Sequence, residues 1–118
     1  MSWKQAAGAK QEIVLVTASR KGKPHAIVVI SEGFVDDKLL VAACMMKTTL
    51  KNLKENNQVC VVAKRNKEYY RIRGRARLYS SGKYFNYLVN EVKEYKVHHA
   101  IVISITEVFD LDNVKKIL

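Results

Sequence analysis

The chain has 118 residues, 48% of them hydrophobic, with 21 Lys and Arg against 11 Asp and Glu, a net charge of +10. That length supports one domain over residues 1–118, burying roughly 65% of the unfolded surface around a single core, and the composition excludes a disordered chain. No apolar run reaches the ~18 residues of a membrane span, and Met1 to Lys10 lacks the apolar core of an export signal, so a cytoplasmic location is expected. So basic a surface attracts nucleic acid, anionic membranes or phosphorylated small molecules, and sign alone does not choose among them.

Ser2 to Lys10 reads as a helical turn or frayed arm, with Trp3 as an anchor packing it onto the body. Glu12 to Ser19 (EIVLVTAS) is a buried strand. Arg20-Lys21-Gly22-Lys23 is a polar turn, and His25 to Ser31 (HAIVVIS) is a β-branched strand that completes a hairpin. His25 at that strand start reads as a satisfied or solvated histidine, since no carboxylate partner is placed beside it. Gly33 permits a bulge, and Asp36-Asp37 turns the chain into the strand Leu39 to Cys44.

Met45, Met46 and Lys47 then lead to Thr48 and Thr49. Leu50 and Leu53, three apart, put one apolar stripe on a short helix that Asn56 and Asn57 stop. A helix start carries unpaired N–H groups and the positive end of the peptide dipole, which suit an anion; two hydroxyls and an ammonium add donors. The commoner role of threonines there is to cap the helix, and both readings stand on the sequence.

Gln58 to Lys64 is the next strand, and Arg65-Asn66-Lys67 a turn. Glu68 to Ser80 (EYYRIRGRARLYS) has the strongest alternation in the chain. Tyr70, Ile72, Gly74, Ala76 and Leu78 face one way; Arg71, Arg73, Arg75 and Arg77 face the other. Gly74 and Ala76 thin the apolar face, so that another element or a flat ligand can come close. Ser80-Ser81 caps a second helix whose packed stripe is Tyr84, Leu88, Val92 and Tyr95. His99 to Leu111 is the last long strand, and Asp112 to Leu118 a short tail.

Cys44 and Cys60 read as reduced core residues, and no histidine stands at ligand spacing from either, so no metal is expected. The order is six strands with two helices, one inserted mid-sheet and one before the last strand. Hairpins dominate, which predicts a mainly β, antiparallel sheet closed as a small barrel. A dinucleotide fingerprint, a Walker loop and a nucleophile elbow are all absent from the sequence.

The order resembles the flavin mononucleotide-binding split β-barrel, the family of pyridoxamine 5′-phosphate oxidase and of small bacterial FMN-binding proteins. The resemblance runs from about Glu12 to Leu111. It rests on Gly22-Lys23-Pro24-His25, Lys47-Thr48-Thr49, Asn52-Leu53 with Asn56-Asn57-Gln58-Val59, Arg73-Gly74-Arg75-Ala76 and Ala100-Ile101-Val102-Ile103. It implies a six-stranded split barrel, a homodimer with flavin sites at the subunit interface, and FMN as cofactor of an oxidoreductase or electron carrier. The phosphate would lie at Lys47, Thr48 and Thr49, and the ring along Val28, Val29, Ile30 and Ser31. Tyr95, with His98 and His99 nearby, would come from the second subunit. Relatives of the oxidase type often carry a basic pair where Thr48 and Thr49 stand, which assigns the positive charge to Lys47 or to Arg71 and Arg73. Ala26, Ile27 and Val28 replace that oxidase's arginine and lysine pattern, which argues against its substrate. The other readings are the same fold with deazaflavin or haem, and a nucleic-acid-binding barrel using the arginine face with Tyr69 and Tyr79.

Overall fold

The computed structural model describes residues 2–118. The N-terminal arm is a short helix α1 (Ser2–Ala6), held where Trp3 meets Phe34 edge-to-face at 5.9 Å. Trp3 is buried with Ala6 and Ala7, as an anchor should be. β1 (Glu12–Ala18) and β2 (Pro24–Val35) form the expected hairpin, in register from Glu12↔Ile30 to Ala18↔Pro24. Asp36 and Asp37, both at positive φ (54° and 61°), make the tight turn into β3 (Lys38–Ala43). α2 (Thr48–Glu55) follows, then β4 (Gln58–Arg65), β5 (Glu68–Tyr79), α3 (Lys83–Glu91) and β6 (His99–Asp110). A two-residue strand, β7 (Lys115–Lys116), pairs with the end of β6.

The strands run in the order β3-β2-β1-β4-β5-β6, and β3 pairs back onto β6, closing a six-stranded antiparallel barrel with β7 appended. Predicted strand limits hold to within one residue except in β2, expected over His25–Ser31, which runs on through the Gly33 irregularity to Val35, and β7, which falls in the expected tail. Inside lie Ile13, Leu15, Leu39, Val41, Val61, Ile72, Ile101 and Ile103, the inward alternates of their strands. A second apolar cluster sits outside the barrel, where Leu88 of α3 covers Leu40, Ala100 and Val102. β3 and β6 are therefore buried on both faces. That is why their sequences, LLVAA and AIVI, are apolar at every position rather than at alternate ones.

The arginine strand has the predicted faces: Tyr70, Ile72, Gly74 and Ala76 are buried, while Arg73, Arg75 and Arg77 are exposed. The close approach at Gly74 is made by β6. A side chain there would collide with the Ser104 carbonyl and meet Ile103 Cγ2 at 2.8 Å, beside a bulge between Arg73 and Gly74. Two expectations are corrected in α3. Its first turn is entered from Gly82 at φ +89° with no side-chain cap, so Ser80-Ser81 does not cap it. It also ends at Glu91, which removes Tyr95 from the helical stripe and leaves it 65% exposed. Both cysteines are free, as expected, but only half-buried: Cys44 packs against the edge of the second cluster and Cys60 is in neither cluster. No helix among the described residues is long and apolar enough to cross a membrane.

Candidate functional site

β2 and β3 pair only at Ser31↔Val41, Phe34↔Leu39 and Val35↔Lys38. Before Ser31 the two strands part. Residues 25–30 of β2 keep β1 as their only strand neighbour, and Ala42 and Ala43 keep only β6. The split is set up locally. Ser31 is fully buried, its hydroxyl donating to the Ala7 carbonyl (2.6 Å) and accepting from the Gly33 N–H (3.0 Å). Its backbone N–H donates to the Gln11 carbonyl and its carbonyl accepts from the Lys10 N–H, so the residue at which β2 meets β3 is also tied to the arm.

The gap is a cleft of about 800 Å³, within the usual range for small-molecule sites. One wall is β2 from Ile27 to Ile30, with His25 near the mouth. The other is Ala42, Cys44, Met45 and Met46, and the segment after α3 brings Val92, Glu94 and Tyr95 across the outside. The walls are apolar and open: Val28 is 66% exposed, although it lies in a strand. The unpaired edge of β2 also presents peptide N–H and C=O groups that no strand satisfies.

α2 opens onto the same cleft. Lys47 occupies its N-cap position with helical dihedrals (φ −103°, ψ −58°), and no side chain caps the helix. Thr48 and Thr49 therefore do not take the capping role, and the N–H groups of the first turn have no intrahelical acceptor. Lys47, Thr48 and Thr49 all line the cleft. The helix is held in place by its apolar stripe and by a buried bond from Asn52 Nδ2 to Thr17 Oγ1 on β1 (3.0 Å).

Of the residues singled out from sequence, Val28, Val29, Ile30, Lys47, Thr48 and Thr49 meet in this one cleft; Tyr95, expected from a second subunit, lines it from this same chain, carried there by the segment after α3. Ser31 lies behind it with its hydroxyl already bonded inside the protein. Arg73 lies elsewhere, beside Cys60 and Thr17 in a shallower concavity, 3.6 Å from Glu107. Its neighbour Arg71 stacks on Phe109 at 4.8 Å. Half of the arginine ladder is thus engaged within the protein, which weakens the polyanion reading. His98 and His99 are not in the cleft wall, whereas His25 is. Sequence reasoning missed Lys10, Glu32 and Cys44. Lys10 Nζ donates to Glu32 Oε1 at 2.8 Å, and Glu32 raises its pKa by that bond and by its charge. Burial pushes the Cys44 thiol up, with the charge of Glu32 adding to it.

The profile of the family described as pyridoxamine 5′-phosphate oxidase matches residues 5–112. The chain belongs to that family. An uncharacterized protein of Methanocaldococcus jannaschii, MJ0282, is 32% identical over 112 residues, covering 86% of this chain and 74% of that protein. Among solved structures, HupZ of Group A Streptococcus superposes with a TM-score of 0.84 at 14% identity, over 100% of this chain and 98% of its own. An FMN-binding protein of Syntrophomonas wolfei gives 0.74 at 18% identity, covering 93% and 82%. The haem storage protein HutZ of Vibrio cholerae gives 0.73 at 11%, covering 92% of each. At these identities the likeness to the structures is one of fold. The pyridoxamine 5′-phosphate oxidase fold thus serves proteins named for different ligands, and choosing among them falls to the residues of the cleft.

Proposed function

We propose that this protein binds FMN in the split between β2 and β3 and acts as a flavin-dependent oxidoreductase or electron carrier. The observation that carries the reading is the α2 start: uncapped by any side chain, flanked by Lys47 and Thr48, and opening onto a long apolar cleft. Each part fits a different part of the cofactor. A phosphate monoester suits the free N–H groups and the Lys47 ammonium. The flat ring suits Val28, Val29 and Ile30, with Tyr95 closing over it. Its polar edge suits the unsatisfied peptide groups along β2. FMN, when bound, supplies hydride or single-electron transfer. The protein's own part is to anchor, orient and keep water from the ring. Ser31 takes the role of fixing β2 where the split begins, rather than touching the ligand.

A homodimer belongs to the same proposal. Register places Val28, Val14 and Val62 in one row across the outside of β2, β1 and β4, and Ala26, Val16 and Cys60 in the next. Such an apolar outer face on a basic protein suits a second copy. Arg73 lies at the end of the second row, opposite Cys60. In a dimer formed on this face it would be available to a cofactor in the other subunit's cleft, in keeping with its predicted role.

The test is an absorption spectrum of freshly purified protein, followed by FMN titration and a mass measurement in solution. Near-ultraviolet and blue flavin bands in a dimer are expected. A Soret peak would replace FMN with haem, a single band in place of two would indicate deazaflavin, and a colourless monomer indifferent to FMN would end the proposal.

A further inference from the structure

The net charge of +10 is not spread evenly over the barrel. Antiparallel pairing brings the β1–β2 turn, the start of β4 and the end of β5 to one end, and α2 lies across it. Three bonds fix that arrangement: Asn52 to Thr17 on β1, the Arg20 N–H to Glu55 Oε1 (3.2 Å), and the Ala76 N–H to the Asn57 carbonyl (2.8 Å). The turn supplies Arg20, Lys21 and Lys23, all exposed. α2 buries Thr49, Asn52 and Leu53, which leaves Lys51 and Lys54 on its exposed side. β5 adds Arg75 and Arg77, the half of the arginine ladder that Glu107 and Phe109 do not engage.

These seven cations form a band with one acid, Glu55, so the band holds six of the ten net positive charges. None of the seven is ion-paired among the described residues. The opposite end is arranged differently. All four aspartates lie there, and Asp37 and Asp36 pair with Lys4 and Lys83. Like charges gathered without counter-ions repel one another and destabilise the compact state, a cost that an anionic partner offsets.

What lies between the cations decides which anion fits. None of the large exposed hydrophobics falls in residues 19–24, 50–58 or 75–77. The band therefore lacks an anchor for a bilayer, an aromatic platform for unstacked bases and the aromatic hot spot of a tight protein interface. It offers instead the exposed side-chain amides of Asn57 and Gln58, donors of the kind that meet phosphate oxygens. The band is also elongated. From β2 through β1 and β4 to β5 it crosses three strand spacings, about 14 Å. A long surface that reads charge alone matches a regular row of phosphates.

We propose that the α2 end of the barrel binds duplex nucleic acid through its phosphate backbone, without reading the bases. The site does not depend on the FMN reading, since none of the seven cations lines the cleft.

The test is fluorescence anisotropy of the purified protein with a labelled duplex of arbitrary sequence. The same sequence as a single strand, polyglutamate and phosphatidylserine vesicles serve as competitors. The duplex is expected to bind and to lose about a thousandfold in affinity between about 50 and 200 mM salt, as roughly six phosphate contacts require. A duplex of scrambled sequence should bind within twofold. Pairs of substitutions then remove equal charge from opposite ends. Arg75→Gln with Arg77→Gln, and separately Lys51→Gln with Lys54→Gln, should each weaken the duplex at least tenfold and lower the salt slope by about two. Lys64→Gln with Lys67→Gln, at the far end, should change it less than threefold. All these residues are exposed, so the denaturation midpoint should hold; if one band pair lowers it, the other decides. Equal losses from both ends would reduce the binding to bulk charge and overturn the site. Stronger competition by the single strand, polyglutamate or the vesicles would overturn it too, giving the band to unpaired nucleic acid, an acidic protein or a membrane. No binding at the lower salt ends the proposal.

Discussion

The β5–β6 seam and the β2–β3 seam are both antiparallel, yet the first is paired at ten positions and the second at three. In the first, Gly74 lets the β6 backbone close against β5 beside a bulge, and the ladder continues on both sides. In the second, the ladder ends at Ser31↔Val41, a point fixed from the other side by the bonds of Ser31 to the arm, and residues 25–30 go on without β3. One barrel thus divides its labour: the sealed seam carries cohesion, and the released seam opens the cleft. The same chemistry of backbone pairing serves both, and the difference is made by a few side chains at the point of divergence.

The largest effect should come from breaking the sealed seam. Gly74→Val forces a branched side chain into the Ser104 carbonyl and should lower stability by ~3 kcal/mol or more, read as a shift of the denaturation midpoint. The released seam should respond in the other way. Lys47→Ala should leave stability within ~0.5 kcal/mol but weaken FMN by ~1.5–3 kcal/mol. If Arg73→Ala proves the more damaging of the two in the same titration, the phosphate clamp lies on the arginine strand instead. Asn52→Ala links the two halves, because it leaves the buried Thr17 hydroxyl without its donor and loosens α2. It should cost ~1–3 kcal/mol in stability and also reduce FMN affinity, unlike Lys47→Ala.

The smallest effect concerns the clasp that ties α3 to the β2–β3 turn. Lys83 Nζ and Tyr84 Oη both donate to Asp36 Oδ2, at 2.6 and 3.0 Å, and the Lys83 bond foremost lowers the Asp36 pKa. A depressed folded-state pKa means that the clasp contributes fully above the usual carboxylate value and is lost as pH falls through the lower, folded one. Acidification below about pH 4 should therefore change the Tyr84 environment, followed by tyrosine near-ultraviolet circular dichroism. Asp36→Asn should flatten that transition and leave the sealed seam untouched.

Much of the fold was legible because its signals are local. Alternation over Glu68–Tyr79 gave the two faces of β5, and the spacing of Leu50 and Leu53 placed α2. The uncapped helix start at Lys47, proposed here as the anion site, could be read from a strand-to-helix junction, and the family pattern added the β2 wall. What escaped depends on distant segments. Cys44 looked like core because it follows an apolar run, but β3 ends at Ala43, and Cys44 stands between the edge of the second cluster and the cleft. Tyr95 kept helical spacing past a helix that had already ended. Ser31 sat among cofactor candidates, but its hydroxyl was claimed by Ala7, 24 residues away. Lys10 and Glu32 meet across 22 residues. The one local hint there was an acid at the end of an otherwise apolar strand.

A half-zipped barrel has an outcome beyond recognition. Between residues 25 and 30 it presents a bare β margin, rich in valine and isoleucine and without Lys, Arg, Asp or Glu, to any chain that drifts past. Whatever occupies that margin is also its guard against mispairing. Emptied preparations should therefore cloud and self-associate more readily than filled ones, and handling losses at the bench would then report on occupancy.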